Sequence, residues 1–221
     1  MLSQKFFNRD TITVAKELLG KVICVRHHDS WLQVQIIETE AYYLEEKGSH
    51  ASLGFTEKRK PLFMSAGTIY MYYARGGDSL NVSTQGSGNA VLIKSGIPYG
   101  DDSNMIKLMQ QLNPRKHLAQ PREKMQLCAG QTLLCKALGL KVPQWNGKQF
   151  TKQHFYFTDI GYRPEKIVQT TRLGIPKGRD EHLQYRYIDF AYAKYCTNNP
   201  LSKRNWSEDQ EYFIMTLTDN L

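Results

Sequence analysis

The sequence predicts a single domain of mixed α/β (α+β) class, with a mainly antiparallel sheet and helices packed around it. Its 221 residues suit one compact unit that buries its own apolar core. Two-residue alternation, which is typical of strands, occurs in residues 21–40 and 68–95 and returns from residue 149. Apolar residues with helical spacing occur in three separate stretches, and no internal repeat interrupts this order.

The first half of the chain predicts one helix followed by a strand-rich segment. Asp10 can accept hydrogen bonds at the start of a helix over residues 11–19, and Gly20 suits its exit. Alternating β-branched segments around a His-Asp-Ser turn then predict a hairpin, and a tight Arg-Gly-Gly-Asp turn predicts a second, projecting hairpin. The polar segment 43–66 has no period, and long loops of this kind are often functional. The predicted strands are residues 21–27, 31–40, 68–73, 79–84 and 89–95.

The second half of the chain predicts helices, Tyr-rich strands and a C-terminal extension. Residues 201–221 join a charged stretch to an apolar FIMTL segment. For them we expect either a docked helix or a loose tail, beyond a domain of residues 1–200. We predict helices at residues 105–112 and 130–138, and strands at residues 149–162 and 183–197 with a polar loop at residues 177–180 between them.

The chain lacks the patterns of membrane insertion, secretion and metal binding. No segment reaches the uninterrupted apolar length of a membrane span, and the N-terminal residues do not form a secretory signal. We therefore expect a soluble, cytoplasmic, bacterial-type protein. The cysteines form no CxxC pair, and no histidine pair lies near them at zinc spacing. We expect no metal and no cofactor, and reduced, mostly buried thiols at Cys24, Cys128, Cys135 and Cys196.

The chain is basic, with 29 Lys and Arg against 21 Asp and Glu and a formal charge of +8. This excess favours a polyanionic partner, nucleic acid first of all, because Lys and Arg release counterions from phosphates. Many basic proteins bind no polyanion, so charge alone raises this expectation only modestly. The basic residues of two polar loops are candidates for phosphate contacts or for plain solvation, namely Lys58, Arg59, Lys60, Lys177 and Arg179.

The densest cluster of chemically active residues lies at the end of the second predicted strand. Glu38, Glu40 and Tyr42 share one face if the strand runs that far. Tyr70 and Tyr72 likewise share a face of a later strand. Carboxylates beside aromatic rings are unusual on a core face. Burial there would raise a carboxyl pKa and strengthen its charge effects, as a general base or an electrostatic stabiliser requires.

Each member of this cluster also has an ordinary structural interpretation. One of the two glutamates, Glu38 or Glu40, can lie on a solvated strand face. The tyrosines can be sheet packing, since Tyr is a favoured strand residue, and we favour this interpretation for Tyr70. His50 can be a loop histidine that hydrogen-bonds backbone. The residues alone therefore leave the choice between the two glutamates open.

Three blocks of the sequence carry a family resemblance. They are IIETEAYYLEEKGSHAS, PLFMSAGTIYMYYARGGDSLNVSTQGSGNAVLIKS and LCAGQTLLCKALGL. In order and spacing they resemble the alkyladenine-type 3-methyladenine DNA glycosylases, also called DNA-3-methylpurine glycosylases, over about residues 5–200. The first two blocks are long and specific, whereas the third is mostly helix packing. The resemblance is far stronger than a short motif match.

The resemblance implies roles for particular residues. The second Glu of ETEAY, Glu40, matches the family's general base, which deprotonates a water for attack on C1′ of the sugar, whereas the first Glu has no such role. Tyr42, His50 and Tyr72 match the residues that enclose the extruded base. Asn81 matches the residue at the pocket rim that disfavours a guanine 2-amino group.

The resemblance also implies a reaction, a partner and an architecture. The partner is double-stranded DNA containing alkylated purines, from which the damaged nucleotide is flipped out and its N-glycosidic bond hydrolysed to leave an abasic site. Aromatic faces favour a cationic purine by about 0.5–2 kcal/mol, and a carboxylate stabilises the oxocarbenium-like sugar. The fold is a curved sheet with a hairpin that protrudes into DNA. No lysine is placed to attack the sugar, so we expect a monofunctional enzyme. We also expect it to need no cofactor and to act as a monomer associated with the nucleoid.

Two positions depart from the family pattern. Arg75 stands where vertebrate relatives place a Tyr that wedges into the minor groove, on a hairpin one residue shorter. Its guanidinium can stack in that gap, or it can be a surface charge paired with Asp78. Lys94 stands where relatives carry an Arg near the catalytic water. A lysine keeps the positive charge but lacks the planar guanidinium that can donate two parallel hydrogen bonds. It is either a water or DNA contact or a surface lysine at a strand end.

Two other functions fit the same residues. One is a non-catalytic nucleic-acid-binding module, because the family's fold resembles RNA-binding domains and a basic groove can hold nucleic acid without chemistry. The other is a glycoside hydrolase that uses Glu38 and Glu40 as an acid–base pair. That mechanism needs carboxyl groups on opposite sides of the scissile bond, whereas these two are neighbours on one strand face, so it fits poorly.

Overall fold

A computed structural model describes residues 1–74, 76–115 and 119–216. The strands of this part of the chain form one nine-stranded sheet. The predicted mixed α+β class with a mainly antiparallel sheet is confirmed. The strands are β1 (Val22–His27), β2 (Ser30–Tyr42), β3 (Ile69–Ala74), β4 (Gly77–Ser83), β5 (Ala90–Pro98), β6 (Phe155–Thr158), β7 (Lys166–Thr170), β8 (Arg186–Asp189) and β9 (Tyr212–Thr216). The α-helices are α1 (Gln4–Phe7), α2 (Thr11–Glu17), α3 (Ser103–Leu112), α4 (Gln131–Ala137) and α5 (Val142–Trp145). Short 3-10 helices cover Ala51–Leu53, Lys60–Phe63, Lys124–Gln126, Phe190–Tyr195 and Pro200–Ser202.

Strand β2 is the centre of the sheet. The strands follow the order β3-β4-β5-β2-β8-β7-β9, and β1 pairs with both β2 and β6. The early part of β2 pairs with β1, and its last part lies between β5 and β8, antiparallel to both. Its pairing with β5 is irregular between Ile36 and Thr39. The carboxylates at the end of β2 are therefore flanked by protein on both sides.

The two faces of the sheet differ. Thr39 of β2 donates a hydrogen bond from its Oγ1 to the backbone oxygen of Ala15 in α2, at 2.8 Å, so this residue faces the helices. Successive residues of a strand point to opposite faces, and Glu40 and Tyr42 therefore point away from the helices. Tyr70 of β3 packs in a small cluster on that same far face. The side chains singled out in the sequence thus share the face opposite α2.

Most of the predicted elements are present, with ends that shift by a few residues. Two predicted strands are too long. Of residues 149–162 only β6 is a strand, apart from isolated bridges at its flanks, and of residues 183–197 only β8 is one. The chain leaves the sheet after β8 because the Asp189 carboxylate accepts a hydrogen bond from the backbone N–H of Ala191, at 3.1 Å, and begins a 3-10 helix. The two-residue alternation of the sequence continues past Asp189, and it therefore predicted a longer strand than the structure has.

The C-terminal stretch contains a strand, where the sequence had suggested a docked helix or a loose tail. β9 pairs with β7 over five residues and forms one edge of the sheet. β7 itself was not predicted from the sequence. Residues 217–221 lie outside the described residues, and the division of the chain at residue 200 stays a prediction.

The helices are short and the thiols are buried. The longest α-helix, α3, has 10 residues, and within the described ranges no helix has the length and apolar character needed to cross a bilayer. The four cysteines are all buried and unbridged. Burial raises the pKa of Cys128 and Cys135, which keeps these thiols protonated and unreactive.

Candidate active site

A cleft of about 300 Å³ opens on the face of the sheet opposite α2. Its lining comes from the end of β2, the loop of residues 43–66, strands β3 to β5 and the turn between β4 and β5, Gln131 at the start of α4, and a late loop around residues 173–179. The structure brings most of the predicted site residues together here, although they come from separate strands and loops. The predicted residues that line the cleft are Tyr42, His50, Tyr72, Asn81 and Lys94.

Glu40 is fully buried directly beneath this cleft. Its Oε1 accepts a hydrogen bond from the backbone N–H of Leu173 at 3.1 Å and lies 3.2 Å from Lys94 Nζ. Its Oε2 accepts a hydrogen bond from the Tyr42 hydroxyl at 2.6 Å. The three residues that hold the carboxylate all line the cleft, so Glu40 lies next to the cavity wall. Glu40 is therefore not on a solvated strand face.

The pKa of Glu40 lies below its ordinary value. Burial is the largest single effect and raises this pKa, but it is outweighed by the Lys94 ammonium, the hydrogen bond from Tyr42 and the charge of Arg186, together with the N–H of Leu173. Burial beside rings predicts a raised carboxyl pKa, and for Glu40 the net direction is the opposite. Glu40 is consequently an anion at neutral pH, which is the state that a general base requires.

Lys94 is buried and is not a surface lysine at a strand end, with only 4% of its surface exposed. Besides its contact with Glu40, its Nζ donates a hydrogen bond to Gln131 Oε1 at 3.1 Å. Gln131 in turn donates from Nε2 to the Ser79 hydroxyl at 2.8 Å. This chain of contacts joins β2, β5, α4 and β4, and it fixes the ammonium group against the carboxylate.

Glu38 has a different environment, although it lies only two residues away on the same strand. Its Oε1 accepts a hydrogen bond from Arg186 Nε at 2.6 Å, and its Oε2 accepts one from the Ser95 hydroxyl. Glu38 and Arg186 are both fully buried, and neither lines the cleft. The structure thus separates the two glutamates: Glu38 holds strands together, and Glu40 lies next to the cavity.

Arg172 packs against the ring of Tyr42. Its guanidinium carbon lies 4.5 Å from the ring centroid, and its Nη1 donates to the backbone oxygen of Ala41 at 2.9 Å and forms an ion pair with Glu46. One face of the Tyr42 ring is therefore covered. Burial and the nearby charge of Glu40 hold the pKa of Tyr42 well above its ordinary value. Its hydroxyl stays protonated and remains a donor to Glu40.

His50, Tyr70 and Tyr72 form an aromatic wall of the cleft. His50 Nδ1 lies 2.9 Å from the Tyr70 hydroxyl, and the His50 ring centroid lies 4.4 Å from that of Tyr72. Asn81 donates from Nδ2 to the backbone oxygen of Tyr70 at 3.2 Å, so it also braces this strand. Desolvation of the ring and the charges of two nearby arginines lower the pKa of His50, which is therefore neutral at pH 7.

The late loop around residues 173–179 forms one wall of the cleft and is hydrogen-bonded to the loop of residues 43–66. Leu173 holds Glu40 through its backbone N–H. Arg179 donates from Nε to the backbone oxygen of Lys47 at 2.8 Å, and the Asp180 carboxylate accepts a hydrogen bond from the backbone N–H of Lys47, also at 2.8 Å. Arg179 was a candidate for phosphate contacts, but some of its N–H groups donate to the backbone of Lys47 and join the two loops.

Arg75, the predicted wedge residue, lies outside the described residues. It falls between the end of β3 at Ala74 and the start of β4 at Gly77. Asp78, suggested as its partner, accepts a hydrogen bond from the backbone N–H of Val142 at 2.9 Å. The role of Arg75 stays a prediction.

The chain is similar to known proteins over most of its length. The sequence profile of the methylpurine-DNA glycosylase family matches residues 5–191. The chain belongs to this family. Among similar proteins, one from Pseudomonas fluorescens (strain Pf0-1) is 59% identical over 217 residues, which cover 97% of this chain and 93% of that protein. One from Pseudomonas aeruginosa (strain PAO1) is 58% identical over 217 residues, covering 97% and 90%. One from Clostridium beijerinckii is 30% identical over 204 residues, covering 90% and 97%. All three carry the name "Putative 3-methyladenine DNA glycosylase".

In this member of the methylpurine-DNA glycosylase family, the sequence points to Glu40, the rings and Lys94, but not to three residues that hold them, Gln131, Arg172 and Leu173. Gln131 lies in the third block, LCAGQTLLCKALGL, which was assigned to helix packing, so that block did contain a signal. Arg172 and Leu173 belong to a loop without a motif, and no local pattern points to them. Their contacts depend on how distant parts of the chain meet.

Proposed function

We propose that this chain is a base-excision repair enzyme that hydrolyses the N-glycosidic bond of alkylated purines in duplex DNA, including 3-methyladenine, and leaves an abasic site. The observation that carries the proposal is an anionic Glu40 buried directly beneath an aromatic-lined cleft, in a chain of the methylpurine-DNA glycosylase family. The names of its relatives support this substrate class. We further propose that it acts as a monomer at the bacterial nucleoid.

In this proposal Glu40 activates the attacking water. A carboxylate offers about four acceptor positions. Tyr42 and Leu173 donate hydrogen bonds to two of them, and the Lys94 Nζ lies 3.2 Å from Oε1. A water in a remaining position transfers a proton to Glu40 while its oxygen bonds to C1′, and the base departs with the electrons of the glycosidic bond. The negative charge of Glu40 also stabilises the oxocarbenium-like sugar as that bond lengthens.

The aromatic wall suits a single flipped base that carries positive charge. Ring faces attract a cation by about 0.5–2 kcal/mol, and an N-alkylated purine such as 3-methyladenine is cationic. The neutral His50 does not repel it, and Tyr42 offers the ring face that Arg172 leaves open. Rotating a nucleotide out of the duplex costs a few kcal/mol, and least for damaged, weakly paired bases. Both effects select alkylated purines, with Asn81 at the rim acting against guanine.

We propose that water, rather than an amine of the protein, is the nucleophile. Lys94 lines the cleft, but its Nζ is held by Glu40 and by a hydrogen bond to Gln131 Oε1. It would have to leave both partners before its nitrogen could attack C1′. The enzyme is therefore monofunctional, and the DNA strand stays intact at the abasic site.

The direct test is to incubate the protein with methylated duplex DNA and then treat the DNA with alkali, which breaks abasic sites. We expect free 3-methyladenine and strand breaks that depend on the alkali. Binding without release of a base would instead indicate the non-catalytic module, and breaks without alkali would contradict the monofunctional mechanism. The glycoside hydrolase alternative is disfavoured because Glu38 is bound to Arg186 away from the cleft.

Replacing Lys94 with Met should move the acid limb of the pH–rate profile to higher pH. Lys94 is the strongest of the groups that oppose burial, so without it the pKa of Glu40 rises. A general base works only when deprotonated, and the rate therefore falls earlier as the pH is lowered. The measurement is the single-turnover rate of 3-methyladenine release between about pH 4 and pH 8. Lys94→Arg keeps the charge and serves as the control, with an acid limb close to that of the wild type. An unshifted limb in Lys94→Met would show that Lys94 does not set this pKa.

Replacing Arg75 with Ala tests the wedge. If Arg75 stacks in the gap left by the flipped nucleotide, affinity for a damaged duplex should fall by about 1.4 kcal/mol, or tenfold, more than affinity for an undamaged one. Equilibrium binding to matched duplexes measures this difference. Equal losses on both duplexes would indicate a phosphate contact instead.

A further inference from the structure

A second groove, of about 720 Å³, lies between the β1–β2 turn and α5. It shares no lining residue with the cleft. Its described lining includes no aspartate and no glutamate, but it contains three cationic side chains and three of the chain's six histidines. Trp145 lies between the basic residues as an aromatic wall. We call this the basic groove and define it by Arg26, His27, His28, Lys141, Lys148 and His154.

The cations of the basic groove are weakly engaged within the protein. Lys148 Nζ lies 5.4 Å from the ring centroid of Trp145 and forms no ion pair with a described carboxylate. Lys141 is about half exposed, and its Nζ lies 3.5 Å from the carboxylate of the buried Asp78. Arg26 is also about half exposed, and its Nε donates a hydrogen bond to the backbone oxygen of His28 at 3.1 Å. Its Nη2 lies 3.8 Å from the exposed carboxylate of Asp29, and solvent weakens a pair of this kind. These charges are therefore available to an anion from outside.

The histidines of the groove do not form a metal site. Within the described residues, no group of three or more His, Cys, Asp or Glu side chains is arranged to hold a metal ion. The rings of His27 and His28 lie 4.6 Å apart, and desolvation together with the charge of His28 lowers the pKa of His27. An imidazole ring supplies an N–H donor in either protonation state, and such donors beside the lysines suit phosphate oxygens.

The basic groove and the cleft lie on opposite sides of the β3–β4 hairpin. β4 is antiparallel to β5, and β5 is antiparallel to β2, so the hairpin turn is at the same end of the sheet as the β1–β2 turn. Asp78 of β4 binds the backbone N–H of Val142 and lies near Lys141, which attaches the groove wall to the hairpin on the helix side. The cleft lies on the other side, beside Tyr72.

We propose that the basic groove binds the phosphodiester backbone of the duplex whose damaged base enters the cleft, so that DNA is held on both sides of the hairpin. This inference rests on the proposed function for the identity of the ligand. Backbone contacts carry no sequence information, but they set the position of a protein on a duplex. A groove without carboxylates, continuous with the hairpin, is suited to that task.

The test is the salt dependence of DNA binding by a Lys141→Gln/Lys148→Gln double variant. Each phosphate contact contributes about 0.9 to the slope of log K against log salt concentration, so the slope should fall in magnitude by about 2. Damaged and undamaged duplexes should lose affinity equally. The matched control is Lys107→Gln/Lys166→Gln, which removes two exposed charges elsewhere, on α3 and β7, and should leave the slope unchanged. Thermal unfolding confirms that both variants are folded.

An unchanged salt slope in the groove variant would overturn the proposal, and so would an equal fall of the slope in the control variant. It would also be overturned if deoxyadenosine monophosphate bound in the groove as tightly as the duplex does. The last result would make a free nucleotide the ligand. At protein concentrations below saturation, base release by the groove variant should fall in proportion to its loss of affinity for the duplex, whereas the Lys107→Gln/Lys166→Gln control should match the wild type. If the wild type releases no base, the proposed function fails while the salt slope still reports on the groove.

Discussion

Replacing Glu40 with Gln should lower the single-turnover rate of 3-methyladenine release by about 10²–10⁴-fold, the range that general base catalysis contributes. Gln is similar in shape to Glu and keeps acceptors for Leu173 and Lys94, and the Tyr42 hydroxyl can accept from its amide. What is lost is the negative charge and the ability to take a proton. The measurement is the release of free base from methylated duplex DNA at neutral pH, with protein in excess.

Affinity of the Glu40→Gln variant for the methylated duplex should stay near that of the wild type, because Glu40 does not itself line the cleft. Glu38→Gln is the matched control, since it removes a second buried carboxylate two residues away on the same strand. The folded Glu38 variant should release base at nearly the wild-type rate. Undiminished release by a pure, folded Glu40→Gln protein would remove Glu40 from the mechanism.

The Glu38→Gln variant itself should be strongly destabilised. Glu38 forms a fully buried ion pair with Arg186, whose Nη2 also donates to the backbone oxygen of Thr197 at 2.5 Å. Removing one partner of a buried pair costs about 3–5 kcal/mol, because the remaining charge stays in the interior without compensation. Urea denaturation should show a lower midpoint with an unchanged slope.

A double variant separates the loss of the pair from the burial of a lone charge. Glu38→Gln/Arg186→Met removes both charges and should recover a large part of the stability that the single variant loses. A single variant that loses less than about 1 kcal/mol would indicate that water or a rearranged partner compensates Arg186. Stability and catalysis are thus expected to depend on different glutamates of the same strand.

The strands of the first hundred residues could be predicted because they alternate with period two and are separated by strong turn signals. The same rule failed after β8, where the Asp189 side chain starts a 3-10 helix, and it missed the short strand β7. Local patterns do not indicate where a strand stops when the cause is a single capping hydrogen bond. They also did not assign the C-terminal strand β9, whose pairing partner lies far away along the chain.

For the site, the two-residue period predicted which faces the glutamates and tyrosines share, and the family blocks selected Glu40 over Glu38. The environments of these side chains depend on contacts between distant segments. Lys94 reaches Glu40 because β5 pairs with β2 in a particular register, and Leu173 reaches it from 133 positions along the chain. These contacts reverse the expected direction of the Glu40 pKa shift. Burial can be anticipated from a pattern of residues, whereas the charge that opposes it depends on distances between segments that no local period encodes.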